Sequence, residues 1–75
     1  MRIESRRMGI EYREMAHPTH NDVFVYGQKR GHVECQAQKW LFYKDSIVTA
    51  APSVFNTQDE LEQYLAETYM GSQPS

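Results

Sequence analysis

The clearest pattern of apolar and polar positions lies near the C-terminus and predicts an α-helix. Its apolar side chains recur at intervals of three and four residues, which places them on one face of a helix: Leu61, Tyr64, Leu65 and Tyr69. Thr57 and Glu60 have the spacing of a capping box, in which each side chain accepts a hydrogen bond from the backbone amide of the other. Gly71 suits the left-handed residue that ends a helix. We therefore predict a helix over residues 58–70.

Upstream of this helix, apolar and polar residues alternate with a period of two, which predicts β-strands. Strands are expected over residues 22–29, 32–45 and 46–50, and the glycines at 27 and 31 bracket a hairpin tip that exposes Lys29 and Arg30. The segment 32–45 is long for a small domain, so a bend or bulge is expected near Lys39. Residues 8–15 fit a strand and also fit a short helix, and both alternatives stay open.

These elements predict an α+β fold, in which a small antiparallel sheet of three to four strands forms a meander and one C-terminal helix packs on one face. Residues 1–70 are expected to form a single domain, and residues 71–75 a frayed tail. If the long strand is continuous, its odd-numbered residues lie under the helix, together with two residues of the preceding strand: Val33, Cys35, Ala37, Leu41, Val23 and Val25.

Four aromatic residues would then lie on the sheet face that the helix leaves uncovered: Phe24, Tyr26, Trp40 and Phe42. An exposed apolar patch rich in Trp, Tyr and Phe is typical of a protein interface. We therefore predict that these residues contact another protein or a second copy of this chain. Two alternatives remain open at this point: the N-terminal segment covers this face, or the two faces are exchanged.

Composition narrows the class of protein further. The chain has 75 residues, 40% of them hydrophobic, and no apolar run near the roughly 20 residues that a membrane span needs. The single cysteine cannot form an internal disulfide, and the N-terminus lacks the apolar segment of a signal peptide. A cytoplasmic protein with no membrane contact is expected.

Charge is distributed unevenly along the chain. All eight basic residues lie within residues 1–44, whereas residues 45–75 carry five acids and no base. Five of the basic residues are candidate nucleic-acid contacts beside aromatic rings that could stack on bases: Arg6, Arg7, Arg13, Lys29 and Arg30. The sequence pI of about 5.8 argues against this alternative, because nucleic-acid-binding domains are usually basic. Alternatively, the basic residues of 1–44 can pair with the acidic residues of 45–75, within the fold or across a dimer.

The histidines and the cysteine raise the question of a metal site, since they fall as His17-x-x-His20 and His32-x-x-Cys35. Residues three apart on a strand point to opposite faces, so His32 and Cys35 should not share one ion. Pro18 instead predicts that residues 17–20 form the turn that leads into a strand. Neither a metal nor another cofactor is predicted. No catalytic residues are predicted either, because a chain this small has little room for a cleft around a nucleophile.

The order of elements resembles that of small phage-encoded anti-CRISPR inhibitors. The likeness rests on a strand such as NDVFVYGQK, further strands and then the capped terminal helix FNTQDELEQYL. It covers residues 21–70 and concerns layout, with no shared residue motif. The resemblance implies a non-enzymatic inhibitor that binds a host protein or nucleoprotein complex through its surface.

Overall fold

A computed structural model describes residues 2–45 and 51–71 of the chain. Five strands are followed by one helix: β1 (Ile10–Glu14), β2 (His20–Val25), β3 (Gln28–Gln36), β4 (Lys39–Lys44), β5 (Ser53–Phe55) and α1 (Gln58–Tyr69). The strands form one antiparallel sheet in the order β1-β2-β3-β4-β5. This confirms the α+β meander with a C-terminal helix, although the sheet has five strands where three to four were predicted. The strand predicted over residues 46–50 lies outside the described residues.

A two-residue turn divides the segment that was predicted as one long strand over residues 32–45. Ala37 and Gln38 have φ angles of 52° and 63°, which are the left-handed values of a type I′ hairpin turn. Gln36 pairs with Lys39 across this turn. The chain therefore reverses near the position where only a bend was expected.

This reversal changes which residues share a face of the sheet. Val33 pairs with Phe42 and Cys35 pairs with Trp40, and directly opposite residues of an antiparallel pair lie on the same face. The even-numbered residues of β4 therefore lie beside the odd-numbered residues of β3. Leu41, which was expected under the helix, lies on the other face.

The hydrophobic core lies between the sheet and α1. Its buried members come from four strands and the helix: Ile10, Val23, Val25, Val33, Phe42, Leu61 and Leu65. The predicted helix stripe and the placement of Val23, Val25 and Val33 beneath it are confirmed. Ala37 was wrongly placed there, since it is exposed in the turn.

The structure around β1 and β2 answers two questions from the sequence: whether residues 8–15 form a strand or a helix, and whether residues 17–20 form a turn. Residues 8–15 contain the strand Ile10–Glu14 and no helix. The turn predicted over residues 17–20 is present, and the His20 amide donates to the His17 carbonyl at 3.2 Å.

The hairpin between β2 and β3 turns earlier than the sequence predicts. Tyr26 and Gly27 occupy the turn with φ angles of 52° and 79°, so the predicted tip over residues 27–31 is wrong. Lys29 is exposed within β3, as expected for its side chain, whereas Arg30 is half-buried.

The helix begins and ends with the predicted caps. The Glu60 amide donates to the Thr57 hydroxyl at 3.1 Å. The Glu60 carboxylate reaches back to the Asn56 amide at 3.0 Å, one residue before the partner that a standard capping box uses. Gly71 follows the helix with a φ angle of 59°.

Candidate functional site

The four aromatic residues predicted as one interface lie in different environments. Phe42 is 1% exposed in the core and Trp40 is half-buried against that core, on the side of the helix. Phe24 lies on the opposite face, and Tyr26 is 66% exposed in the β2–β3 turn. The prediction that the four share an uncovered face is wrong because the turn at Ala37 reverses the alternation in β4. An interface role for Phe24 and Tyr26 stays a prediction.

The face of the sheet opposite α1 is here called the open face. Its members follow from the strand register and come from all five strands: Glu11, Arg13, His20, Asp22, Phe24, Lys29, His32, Glu34, Gln36, Lys39, Leu41, Tyr43 and Val54. The helix packs on the other side of the sheet, and so does the N-terminal segment, whose Ile3 contacts the core. Within residues 2–45 and 51–71, no element covers the open face.

A row of four rings crosses the open face. His17 stacks on His20 with ring centroids 4.2 Å apart, and His20 lies 5.8 Å from His32. His32 in turn stacks on Tyr43 with centroids 4.8 Å apart and an interplanar angle of 11°. All three histidines of the chain therefore meet on one surface, although they come from the β1–β2 turn, β2 and β3.

Glu34 lies beside this row and joins two of its members. Its carboxylate accepts a hydrogen bond from the Tyr43 hydroxyl at 3.4 Å and lies 3.5 Å from Nε2 of His20. Desolvation and the negative charge of Glu34 raise the pKa of Tyr43. The phenol therefore stays a neutral hydrogen-bond donor on the open face.

Two of the three permanent cations of the open face, Arg13 and Lys29, have a carboxylate neighbour, whereas Lys39 at the β3–β4 turn donates to the Asn56 side chain. Nε of Arg13 lies 3.0 Å from Oε2 of Glu11. Nζ of Lys29 lies 3.5 Å from Asp22 and 4.0 Å from Asp45. The positive charges of Arg13 and Lys29 are therefore partly balanced by these carboxylates.

The remaining candidate nucleic-acid contacts lie elsewhere. The Arg30 guanidinium lies over the Tyr69 ring of α1, 4.9 Å from its centroid. Arg6 and Arg7 are exposed on the N-terminal segment before β1. The five predicted basic contacts therefore do not form a single basic surface.

The strand register separates Cys35 from the histidines of the suspected metal site. His32 pairs with Tyr43 on the open face, whereas Cys35 pairs with Trp40 on the side of the helix. Among the described residues, no group of three or more His, Cys, Asp or Glu side chains is arranged to hold a metal ion. Burial raises the pKa of the Cys35 thiol, which lowers the thiolate fraction at neutral pH.

Sequence reasoning missed a buried polar group, Glu62 of α1, which is 0% exposed. Both of its carboxylate oxygens accept hydrogen bonds, from the Arg6 amide, the Tyr12 hydroxyl and Nε2 of Gln58. Its position, one residue after Leu61 on the buried stripe, is the only sequence feature that could have indicated this burial.

Comparison with known proteins found no matching family model, no matching curated protein and no matching solved structure. Within the described part of the chain, no helix is long and apolar enough to cross a membrane.

Proposed function

We propose that this chain is a non-enzymatic protein-interaction module that binds its partner through the open face of the sheet. The observation that carries the proposal is the row of rings from His17 to Tyr43 on a surface that no described element covers. Aromatic rings give large contact area with little loss of side-chain freedom, and their polar atoms can pair across an interface.

The charges of the open face favour a protein partner over a nucleic acid. Arg13 and Lys29 already lie within 4.0 Å of carboxylates, and Glu34 adds a further negative charge. A phosphate backbone needs unpaired cations in a continuous track, and here acids lie between them. A protein surface of mixed charge meets this arrangement without such repulsion.

The partner in this proposal is either another protein or a second copy of the chain. Five strands spaced about 4.8 Å apart and about 20 Å long give a flat face of roughly 400–500 Å². Two such faces packed together would bury about 1,000 Å², the lower limit for a specific interface. A homodimer through this face should therefore be weak and dependent on concentration.

A finer version of the proposal places the chain in the cytoplasm, as an inhibitor of phage or mobile-element origin that acts on a host protein or nucleoprotein complex. Its support is the layout shared with phage-encoded inhibitors and the single free cysteine, Cys35, which suits a reducing compartment.

Site-specific photo-crosslinking tests the proposal. A photoreactive phenylalanine analogue replaces Tyr43 on the open face, and the matched control carries it at Glu67 on the exposed side of α1. In cells of the native host, or with purified protein at rising concentration, the Tyr43 position should give defined protein adducts and the Glu67 position should not. Equal labelling at both positions, or no adduct at Tyr43 under both conditions, would contradict binding through this face.

The rival function, nucleic-acid binding by Arg6, Arg7, Arg13, Lys29 and Arg30, is tested separately. Short single- and double-stranded oligonucleotides are titrated at two salt concentrations with a fluorescence readout. We expect little binding at either concentration. Affinity that falls steeply with salt would support the rival instead.

A further inference from the structure

A cavity of about 580 Å³ lies on the helix side of the sheet, away from the open face. One wall is the N-terminal segment, residues 2–6, and the other is formed by the β3–β4 hairpin at Cys35 and Trp40. Gln58, the first residue of α1, also lines it. This volume is within the range of about 300–1,000 Å³ that small-molecule sites occupy.

The N-terminal wall is fixed in place although it has no regular secondary structure. Nε2 of Gln58 donates to the Glu4 carbonyl at 2.7 Å. The Arg6 amide donates to the buried Glu62 carboxylate at 3.0 and 3.2 Å. Ile3, one residue before the first of these anchors, packs against the core. The N-terminal wall is therefore tethered backbone, and the cavity itself opens to solvent.

Positive charge dominates the lining of the cavity. Arg2, Arg6 and Lys39 line it, and Glu4 is the one carboxylate among its lining residues. Nζ of Lys39 donates to the Asn56 side chain. Arg2 and Arg6 are both exposed, so their guanidinium groups can be reached from solvent. Two forked cationic donors are therefore available to a ligand.

Trp40 supplies an apolar wall beside these donors. Its indole is half-buried against the core, which holds the ring in position, and it lines the same cavity as the two arginines. Arg pairs bidentately with carboxylate and phosphate groups, and a Trp ring offers a flat stacking surface.

We infer that this cavity binds a small organic anion that carries a flat ring. The anionic group lies against Arg2 and Arg6, and the ring lies against Trp40. A nucleoside monophosphate and an aromatic carboxylate share this chemistry. The inference does not depend on what the open face binds, since the two surfaces lie on opposite sides of the sheet.

Trp40 is the only tryptophan of the chain, so its fluorescence reports on the cavity directly. The full chain is titrated with adenosine monophosphate and with benzoate, and with adenosine and inorganic phosphate as matched halves of the ligand. We expect a saturable fluorescence change with at least one of the two ring-bearing anions, and which one responds identifies phosphate or carboxylate as the anionic group. Adenosine and inorganic phosphate should bind at least tenfold more weakly than that ligand. No saturable change with either anion, or equal affinity for adenosine and its monophosphate, would overturn the inference.

Two neighbouring arginines provide a matched pair of variants. Arg6→Ala removes a lining guanidinium but keeps the backbone amide that binds Glu62, so the fold should persist by circular dichroism. Loss of a charge-assisted hydrogen bond should weaken ligand binding about tenfold to a hundredfold. Arg7→Ala removes the same charge from an exposed residue outside the lining, and binding should change less than about threefold. Equal losses in the two variants would indicate general charge attraction and contradict a defined site. Arg2→Ala repeats the test with a second lining residue.

Discussion

Replacement of Glu62 by alanine should destabilise the protein more than any other Glu→Ala change in the helix. The Glu62 carboxylate is fully buried, and it joins three parts of the chain. It accepts from the Arg6 amide at 3.0 Å, from the Tyr12 hydroxyl at 2.8 Å and from Nε2 of Gln58 at 2.9 Å. Without it, the N-terminal segment loses its hydrogen bond to α1 at Arg6.

The size of the effect follows from these three bonds. A hydrogen bond to a charged group contributes about 1.5–3 kcal/mol, but contributions from one network are not additive. Tyr12 and Gln58 are half-buried, so their donors can partly recover a bond to water. We therefore expect a loss of about 2–4 kcal/mol in the free energy of unfolding. A domain of this length has about 4–11 kcal/mol in total, so the variant should retain about 0–9 kcal/mol, with a Tm lowered by roughly 8–30 °C.

Urea and thermal unfolding followed by circular dichroism measure the loss, and hydrogen exchange at the Arg6 amide measures its location. The matched control is Glu67→Ala in the same helix, because Glu67 is exposed and its carboxylate accepts a long hydrogen bond from Gln63 at 3.3 Å. That control should change stability by less than about 0.5 kcal/mol. A Glu62→Ala variant no less stable than the control, or one whose Arg6 amide stays protected, would refute the reasoning.

Three further changes test other contacts. Tyr12→Phe should cost about 1–2 kcal/mol at neutral pH because Glu62 loses a donor. Burial and the Glu62 hydrogen bond raise the pKa of Tyr12 above its ordinary 10.0. The free energy of unfolding of the wild type should therefore fall as the pH rises past 10. In unfolding experiments at alkaline pH, the difference in stability between the wild type and Tyr12→Phe should narrow. Gln38→Gly should raise the unfolding free energy by about 1 kcal/mol, since its φ of 63° suits glycine; no gain would indicate an unstrained turn. Gly31→Ala drives a Cβ into the Tyr43 carbonyl oxygen and should cost more than about 3 kcal/mol in urea unfolding, so a silent change would contradict this β3–β4 register.

The helix and the fold class could be predicted because their determinants are local. The cap at Thr57, the stripe from Leu61 to Tyr69 and the glycine at 71 all lie within fifteen consecutive residues. Alternation of apolar and polar residues likewise indicates strands wherever it occurs. The helix and the strands can therefore be predicted without knowing which strands are neighbours in the sheet.

The faces of β4 could not be predicted, because they depend on one turn with weak sequence features. Ala37 and Gln38 adopt left-handed φ angles, yet neither is the Asn or Gly that usually marks such a turn. If the strand were continuous through this point, Trp40 and Phe42 would lie on the sheet face away from Val33. In the observed hairpin they lie on the same face as Val33, so the predicted interface no longer holds together.

The row of histidines was hidden from the sequence for a related reason. His20 and His32 are twelve residues apart, and only the register of β2 against β3 brings their rings to 5.8 Å. That register includes an irregularity after Val23, where the pairing shifts by one residue. Cys35, which is close to His32 in sequence, lies on the far side of the sheet.

The same alternation that separates His32 from Cys35 separates the two proposed binding surfaces. His32 and Tyr43 face the open side of the β3–β4 pair, whereas Cys35 and Trp40 face the cavity. Because Tyr43 and Trp40 lie on opposite faces of the sheet, substitutions of these two residues should act additively unless the β3–β4 backbone itself moves. A Tyr43 variant that abolishes partner binding should therefore leave the Trp40 fluorescence titration unchanged. If instead a cavity ligand altered crosslinking at Tyr43, the hairpin would connect the two sites, and β3 and β4 would be the element through which they communicate.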